Sequence, residues 1–262
     1  MIRLDAATVL LQWSTGGLFF LWVTTRHGAV GVGYGWLLRG IYSLMAIGSA
    51  VIGLRSDAVP VRDAASIAVA GAAMVALAVS VVRRAGTDSD SNERSFAPTL
   101  DLIAPSIAIA GLVAGALDAA DGGGGVAVLS VLRTLVGAAF LGSVTDAMLL
   151  GHWYLVQPGL PRRHLNELVL AVGWVWPVEV VALLLPTGMV SVWSGAIDDG
   201  WHGQLGWFWA ASAIATLVLL VVTRAALRER YYSAVMAATG LLYLAILTAF
   251  GTDLVARAVL AG

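Results

Sequence analysis

Eight long apolar runs divide this chain into segments of the length that a membrane helix needs. A helix requires about 20 consecutive, mostly apolar residues to cross the hydrocarbon core of a bilayer. The runs lie roughly at residues 5–25, 35–54, 64–83, 98–118, 126–154, 164–186, 205–224 and 231–256. Because a backbone inside hydrocarbon must satisfy its own hydrogen bonds, runs of this length predict helices. We therefore predict an all-α polytopic membrane bundle of about eight transmembrane helices.

The composition agrees with a membrane protein and excludes several other classes. Apolar residues make up 59% of the chain and charged residues 12%, whereas soluble domains carry charge on about a quarter of their residues. A net charge of −1 leaves no dense basic surface, so nucleic acid is not an expected partner. The absence of cysteine excludes disulfides, iron–sulfur clusters and covalently attached haem c. The expected partners are the lipid bilayer and other subunits of a membrane complex.

The distribution of arginine predicts the orientation in the membrane. Arginines are enriched in the loops that follow odd-numbered runs, namely Arg26, Arg83, Arg84, Arg94, Arg162, Arg163, Arg224, Arg228 and Arg230. The opposite side carries Arg3, Arg55, Arg62 and Arg257. Since cytoplasmic loops carry the excess of positive charge, both termini are predicted to lie outside the cytoplasm. Arginine in place of every lysine indicates a GC-rich genome, and we place the chain in a bacterial inner (plasma) membrane.

A single integral-membrane domain over residues 1–262 is the simplest organisation. A weak internal similarity pairs His27…Arg39 with His152…Arg163, each a histidine at an inner helix end followed by a glycine-containing turn and an arginine. Such a repeat would fit four-plus-four halves, 1–120 and 121–262, as in transporters built from duplicated units.

Two polar connections interrupt the hydrophobic pattern. Residues 85–97 lack aliphatic periodicity and are predicted to form a mobile cytoplasmic loop. Residues 187–204 carry Asp198, Asp199 and Trp201, and are predicted to form a loop on the outer membrane surface.

Two residues of opposite charge, Arg133 and Glu179, fall at a similar predicted depth. A rise of about 1.5 Å per residue places each of them about 10 Å inside the outer face. An ionisable group in hydrocarbon costs several kcal/mol unless it is paired, so we predict an Arg133–Glu179 ion pair. The pair either fixes the packing of two helices or allows Glu179 to exchange protons beside the kink expected at Pro177.

A second ion pair is predicted on the inner side, between Arg39 and Asp146. Arg39 begins a polar stripe that continues with Tyr42 at helical spacing, which turns this face towards the bundle. Asp146 lies about 20 Å from Arg133 along the same helix, too far for those two residues to pair. Asp101 competes for Arg39, although the helix dipole also favours a carboxylate in the first turn where Asp101 lies.

The segment His152-Trp153-Tyr154 has three interpretations. It could hold a haem, contribute to a quinone site or anchor the helix at the membrane interface. Haem b held by two histidines requires a second histidine at similar depth, and His27 is the candidate.

A weak metal motif opens the sixth run. His164 and Glu167 stand at i and i+3, a spacing at which both side chains can bind one metal ion. The helix dipole alone also favours Glu167 in this first turn, so no metal site is assigned. No serine, histidine and aspartate arrangement, phosphate-binding glycine loop or metalloprotease helix is present, which leaves an enzymatic role undecided.

Three functional hypotheses follow from these patterns. In the first, the chain is a subunit or accessory protein of a membrane redox or energy-converting complex that contacts quinone, haem b or a proton path. In the second, it is a proton-coupled secondary transporter with Arg133 and Glu179 near the substrate path. In the third, it is a membrane scaffold or assembly protein that binds no ligand and whose buried charges serve packing.

Overall fold

A computed structural model describes residues 4–85, 97–120 and 123–260 of the chain. Ten helices are formed by these residues: α1 (Ala6–Thr25), α2 (Val32–Ser56), α3 (Pro60–Ala85), α4 (Pro98–Asp101), α5 (Ile103–Asp118), α6 (Gly124–Trp153), α7 (Arg163–Leu184), α8 (Val190–Trp193), α9 (Gln204–Arg228) and α10 (Tyr232–Leu260). Within the described ranges, eight spans are long and apolar enough to cross a membrane, with α4 and α5 forming one of them. The predicted all-α bundle with eight membrane helices is confirmed.

Helix α1 lies at the centre of the bundle and packs against α2, α5 and α6. Its most apolar stretch is 67% buried, the highest share among the candidate spans. Small residues explain this close packing, since a Cβ on Gly16 would lie 1.8 Å from the backbone oxygen of Ala138. In lipid, small residues let helix backbones approach each other and gain dispersion contacts. The polar side chains of α1 therefore face other helices rather than lipid.

The fourth membrane span is interrupted near its N-terminal end. The short helix α4 ends at Asp101, and Leu102 separates it from α5. Pro98 begins α4, which suits proline because the first helical N–H has no partner within the helix. The interruption leaves Asp101 in its own short turn, where its side chain is buried against α2.

The connection between α7 and α9 is more ordered than the predicted surface loop 187–204, because it contains α8. At the C-terminal end of this connection, the Asp199 carboxylate accepts three hydrogen bonds from backbone N–H groups. The donors are Trp201 at 2.9 Å, Gly203 at 2.9 Å and Leu205 at 3.0 Å. Burial alone would raise the pKa of Asp199, but these N–H donors outweigh it and lower the pKa below its usual value. The other predicted loop, 85–97, lies almost wholly outside the described residues.

Replacing Asp199 with alanine is expected to loosen this connection. The substitution leaves the amides of Trp201, Gly203 and Leu205 without their acceptor, and hydrogen–deuterium exchange should show faster exchange there. Because the folded pKa lies below the unfolded one, the wild-type contribution is present above about pH 3.9 and is lost as the pH falls further. Asp198→Ala is the matched control, since among the described residues Asp198 accepts a hydrogen bond from the N–H group of Gly200 alone. Equal exchange in both variants would contradict this role of Asp199.

Candidate functional site

Arg39 pairs with Asp101 in the structure. Its Nε and Nη2 atoms donate to the two carboxylate oxygens at 2.9 and 2.6 Å, and the side chains are 1% and 5% exposed. The predicted Arg39–Asp146 pair is therefore wrong, and the competing partner that the sequence offered is the one found. The interruption between α4 and α5 explains the outcome, because it presents Asp101 to α2. A two-point pair of this kind is among the strongest polar contacts in proteins.

Asp146 is fully buried and is held by a tyrosine instead of an arginine. The hydroxyl group of Tyr42 donates to Asp146 Oδ1 at 2.8 Å. The second oxygen, Oδ2, has no hydrogen-bond partner among the described residues, and neither has the hydroxyl group of Tyr34 nearby. A buried acid with a tyrosine on one oxygen and a free second oxygen is suited to binding a proton.

Arg133 does not form the predicted direct ion pair with Glu179. Its Nε donates to the backbone oxygen of Ala182 at 3.0 Å, and its Nη2 donates to the backbone oxygen of Leu185. These acceptors belong to the last turn of α7, whose carbonyl groups have no partners within the helix. Glu179 is close enough to attract Arg133 electrostatically, but the guanidinium group binds the end of the helix instead.

Glu179 belongs to a different cluster, which includes two residues of α10. The carboxyl group of Glu179 lies close enough to that of Asp253 for the two to interact electrostatically, and Arg257 Nε donates to both Asp253 oxygens at 2.9 Å. Glu179 and Asp253 are both 0% exposed. Neither oxygen of Glu179 receives a hydrogen bond from a donor among the described residues. Two neighbouring buried carboxyl groups are able to share a proton.

The other contacts of Arg257 connect this acid pair to α1 and α6. Its Nη2 donates to the backbone oxygen of Arg133 at 2.7 Å, and with the Gln12 amide suitably oriented also to Gln12 Oε1 at 2.6 Å. Its Nη1 lies 3.3 Å from the Thr134 hydroxyl. Gly137 makes room for this convergence, since a Cβ there would lie within 2.4 Å of Arg257 Nη2 and Asp253 Oδ1. We call Gln12, Arg133, Glu179, Asp253 and Arg257 the outer polar cluster, after the side of the membrane on which the arginine distribution predicts it.

A cavity of about 690 Å³ lies beside the outer polar cluster. Arg133, Thr134 and Arg257 form a polar part of its wall, and aliphatic side chains of α1, α6 and α7 form most of the remainder. Asp5 also lines the cavity, where Arg62 holds its carboxylate at 2.8 Å. A concave, mostly apolar space with a few charged groups is the usual form of a small-molecule site.

The two histidines proposed for haem b have different neighbours. The ring of His27 lies 6.4 Å from that of His164, centre to centre. The ring of His152 lies 6.2 Å from that of Tyr243, whose hydroxyl group is 3.4 Å from His152 Nδ1. The contacts of the described residues thus do not bring His27 and His152 together, and the haem b and quinone hypotheses stay predictions.

Trp153 and Tyr154 have contacts that fit an anchoring role. Trp153 Nε1 donates to Gln157 at 3.2 Å, and the Tyr154 hydroxyl donates to the backbone oxygen of Pro161 at 2.8 Å. Burial raises the pKa of Tyr154 to about 12, so its hydroxyl group stays a proton donor at neutral pH. The backbone oxygen of Tyr154 accepts a hydrogen bond from the Tyr232 hydroxyl at 2.7 Å, which connects the turn to the start of α10.

The weak metal motif is divided between different partners. Glu167 forms a salt bridge with Arg26 at the C-terminal end of α1, and His164 lies next to Arg163 and the ring of His27. Within the part of the chain that the structure describes, no group of three metal-binding side chains occurs. The motif thus joins α7 to α1.

Asp253 and Arg257 are the site residues that the sequence analysis missed. They stand at i and i+4, a spacing that favours a salt bridge on one helix face. The eighth apolar run was ended at residue 256, which placed Arg257 in an outer loop, whereas α10 continues to Leu260. An acid and an arginine four residues apart at the end of an apolar run were the available signal.

Comparisons with known proteins give no match. No family model, no curated protein and no solved structure matches this chain. The function proposed below is therefore argued from the geometry of the site.

Proposed function

We propose that this chain is a multi-pass membrane transporter that couples the movement of a solute to the movement of protons. The observation that carries this proposal is the fully buried Glu179, whose carboxyl group faces Asp253 beside the outer cavity. Ionisable groups within membrane spans are costly, and they commonly mark proton and substrate pathways.

The charges of the outer polar cluster provide a mechanism for coupling. Two carboxyl groups, Glu179 and Asp253, lie with two arginines, Arg133 and Arg257. With both acids ionised the four side chains are neutral, and with one proton between the acids they carry a net charge of +1. Protonation therefore changes the charge next to the cavity, and binding of a charged solute and of the proton influence each other reciprocally.

A third buried acid, Asp146, extends the series of proton-binding groups towards the predicted inner side. Asp146 lies on the same helix as Arg133, about 20 Å farther along it. Its free Oδ2 atom and the adjacent Tyr42 and Tyr34 hydroxyl groups provide groups that bind and release protons. Carboxyl groups inside membrane spans commonly mark proton relays, and this bundle has them at two depths.

Glu179→Gln is expected to abolish solute-dependent proton movement. The purified protein is reconstituted into liposomes that contain a pH-sensitive dye, and small organic anions, cations and neutral solutes are added outside one at a time. The wild type should acidify or alkalinise the interior with at least one solute, and Glu179→Gln should lose this response because glutamine cannot exchange a proton. Glu229→Gln is the matched control, since Glu229 is exposed at the end of α9. An equal response in Glu179→Gln and the wild type would refute the proposal.

The structure supports the orientation that we propose. Two of the four arginines assigned to the outer side, Arg62 and Arg257, bind carboxylates at 2.8 and 2.9 Å inside the bundle. These two arginines therefore do not count as loop charges, and the excess of loop arginines on the opposite side becomes larger, as the positive-inside rule requires of the cytoplasmic side. We place both termini outside the cytoplasm of a bacterial cell, with the chain in the plasma membrane.

The hypothesis that the chain is a subunit of a redox complex is tested by a different experiment. An absorbance spectrum of the purified protein with a haem Soret band, or a quinone in its organic extract, would favour that hypothesis. Co-purification of partner subunits followed by mass spectrometry would test the proposed membrane complex.

A further inference from the structure

The outer cavity has a strongly unequal distribution of charge and apolar surface. Its positive groups, Arg133 and Arg257, lie together beside Thr134 on the wall that α6 and α10 form. Most of the remaining wall is aliphatic, with Val9, Leu129, Leu132, Leu183 and Leu260 among its residues, and the Asp5 carboxylate that also lines it is bound by Arg62 at 2.8 Å. A ligand that matches this wall has a charged end and an apolar body.

Arg133 is the group that requires a negative partner. Its guanidinium group binds two backbone carbonyl groups, and no carboxylate lies within 4.0 Å of it among the described residues. Arg257 lies close enough to repel it. Two guanidinium groups near each other in a membrane protein are stabilised by an anion placed against them.

The charge of the cluster limits the charge of that anion. Arg257 is already matched by Asp253, and a shared proton on the two acids leaves a net charge of +1. One negative charge neutralises the site, whereas two would leave an excess inside the membrane. The volume of about 690 Å³ is within the range of small-molecule sites, roughly 300–1,000 Å³, and it suits one alkyl chain better than a two-chain lipid.

We propose that the outer cavity binds an amphipathic monoanion, with its acid group at Arg133 and its single alkyl chain against the aliphatic wall. Its role as the transported substrate rests on the proposed function above. Binding itself needs no movement of protons, so the two proposals can fail separately.

The test uses octanesulfonate, whose negative charge does not depend on pH. Equilibrium binding of the radiolabelled compound is measured on the full-length protein in lipid nanodiscs, with empty nanodiscs to subtract partitioning into lipid. Octanol lacks the charge, octyltrimethylammonium carries the opposite charge, and methanesulfonate lacks the chain. Each of these should compete for the site at least about tenfold more weakly than unlabelled octanesulfonate, since a charge-assisted hydrogen bond and a buried chain each contribute more than 1.4 kcal/mol.

Two variants separate the charged end from the chain. Arg133→Gln should weaken binding about tenfold or more by loss of the ionic contact, and Arg55→Gln, an exposed arginine at the outer end of α2, should not change it. Val128→Trp should weaken binding by filling the apolar part, and it should fold normally because Val128 is 70% exposed.

Saturable binding of octanesulfonate that both cavity variants weaken supports the inference. Equal competition by octanol, or unchanged binding in a correctly folded Val128→Trp, would overturn it. Binding without solute-dependent proton movement would refute the transporter and leave the ligand class standing. Proton movement with another solute, without binding of octanesulfonate, would refute the ligand class and leave the transporter proposal standing.

Discussion

Replacing Arg257 with methionine is expected to lower the free energy of unfolding by about 3–5 kcal/mol, the usual cost of removing one partner from a buried ion pair. The change deprives Asp253 of its direct cation, and it also removes donors from the backbone oxygen of Arg133 and from Gln12. The free energy of unfolding is measured by titrating the protein with a denaturing detergent. The midpoint temperature of thermal unfolding is an independent measure of stability.

Two further variants show whether the loss comes from an uncompensated charge. Arg55→Met removes an exposed arginine near the same membrane face and should change stability little. Arg257→Met combined with Asp253→Leu should recover much of the loss, because replacing both partners of a buried pair by apolar groups is often nearly neutral. A double variant no more stable than the single one would show that packing, rather than charge, determines the loss.

Gly142→Ala is expected to destabilise the protein by about 3 kcal/mol, near the upper end of the usual cost of overpacking. A Cβ on residue 142 would lie 2.1 Å from the backbone carbon of Gly16, so α1 and α6 would have to separate. Rotation of a side chain cannot relieve a contact between two backbones. Because α1 is the central helix, the separation should also disturb the Trp13–Thr145 hydrogen bond of 2.9 Å.

Gly173→Ala is the matched control for this substitution. Gly173 also lies within a membrane helix, but a Cβ there meets nothing within 4 Å. The control should be neutral or slightly stabilising, since alanine favours a helix over glycine. The same unfolding measurement serves both variants. A similar small effect of the two substitutions would contradict the close packing of α1 against α6.

The number of helices was predictable from the sequence because the bilayer imposes it. Each span needs about 20 apolar residues, and this requirement is visible without knowledge of tertiary contacts. The Arg39–Asp101 pair shows the limit of the same reasoning. The partner of Arg39 depends on the rotation and tilt of three helices, and the interruption at Leu102 that directs Asp101 to Arg39 is not visible in a hydropathy pattern.

The sequence singles out Arg133 and Glu179 of the outer polar cluster as candidate site residues, but not Asp253 or Arg257. Arg133 and Glu179 lie on the contacting helices α6 and α7, near enough to interact electrostatically. Their side chains turn to other partners because α10 contributes Asp253 and Arg257 between them. The eighth run ends at residue 256 in the hydropathy pattern, which leaves Arg257 outside the span, while Asp253 lies inside the run without a predicted partner.

The central claim is that Glu179 and Asp253 hold a proton between them. Infrared spectroscopy of the protein in lipid membranes measures this most directly, because a protonated carboxyl group has a C=O stretching band that a carboxylate lacks. At neutral pH we expect such a band, shifted on transfer to heavy water, to disappear in Asp253→Asn combined with Glu179→Gln and to remain in Glu229→Gln. A spectrum in which the double variant retains the whole band would contradict the claim.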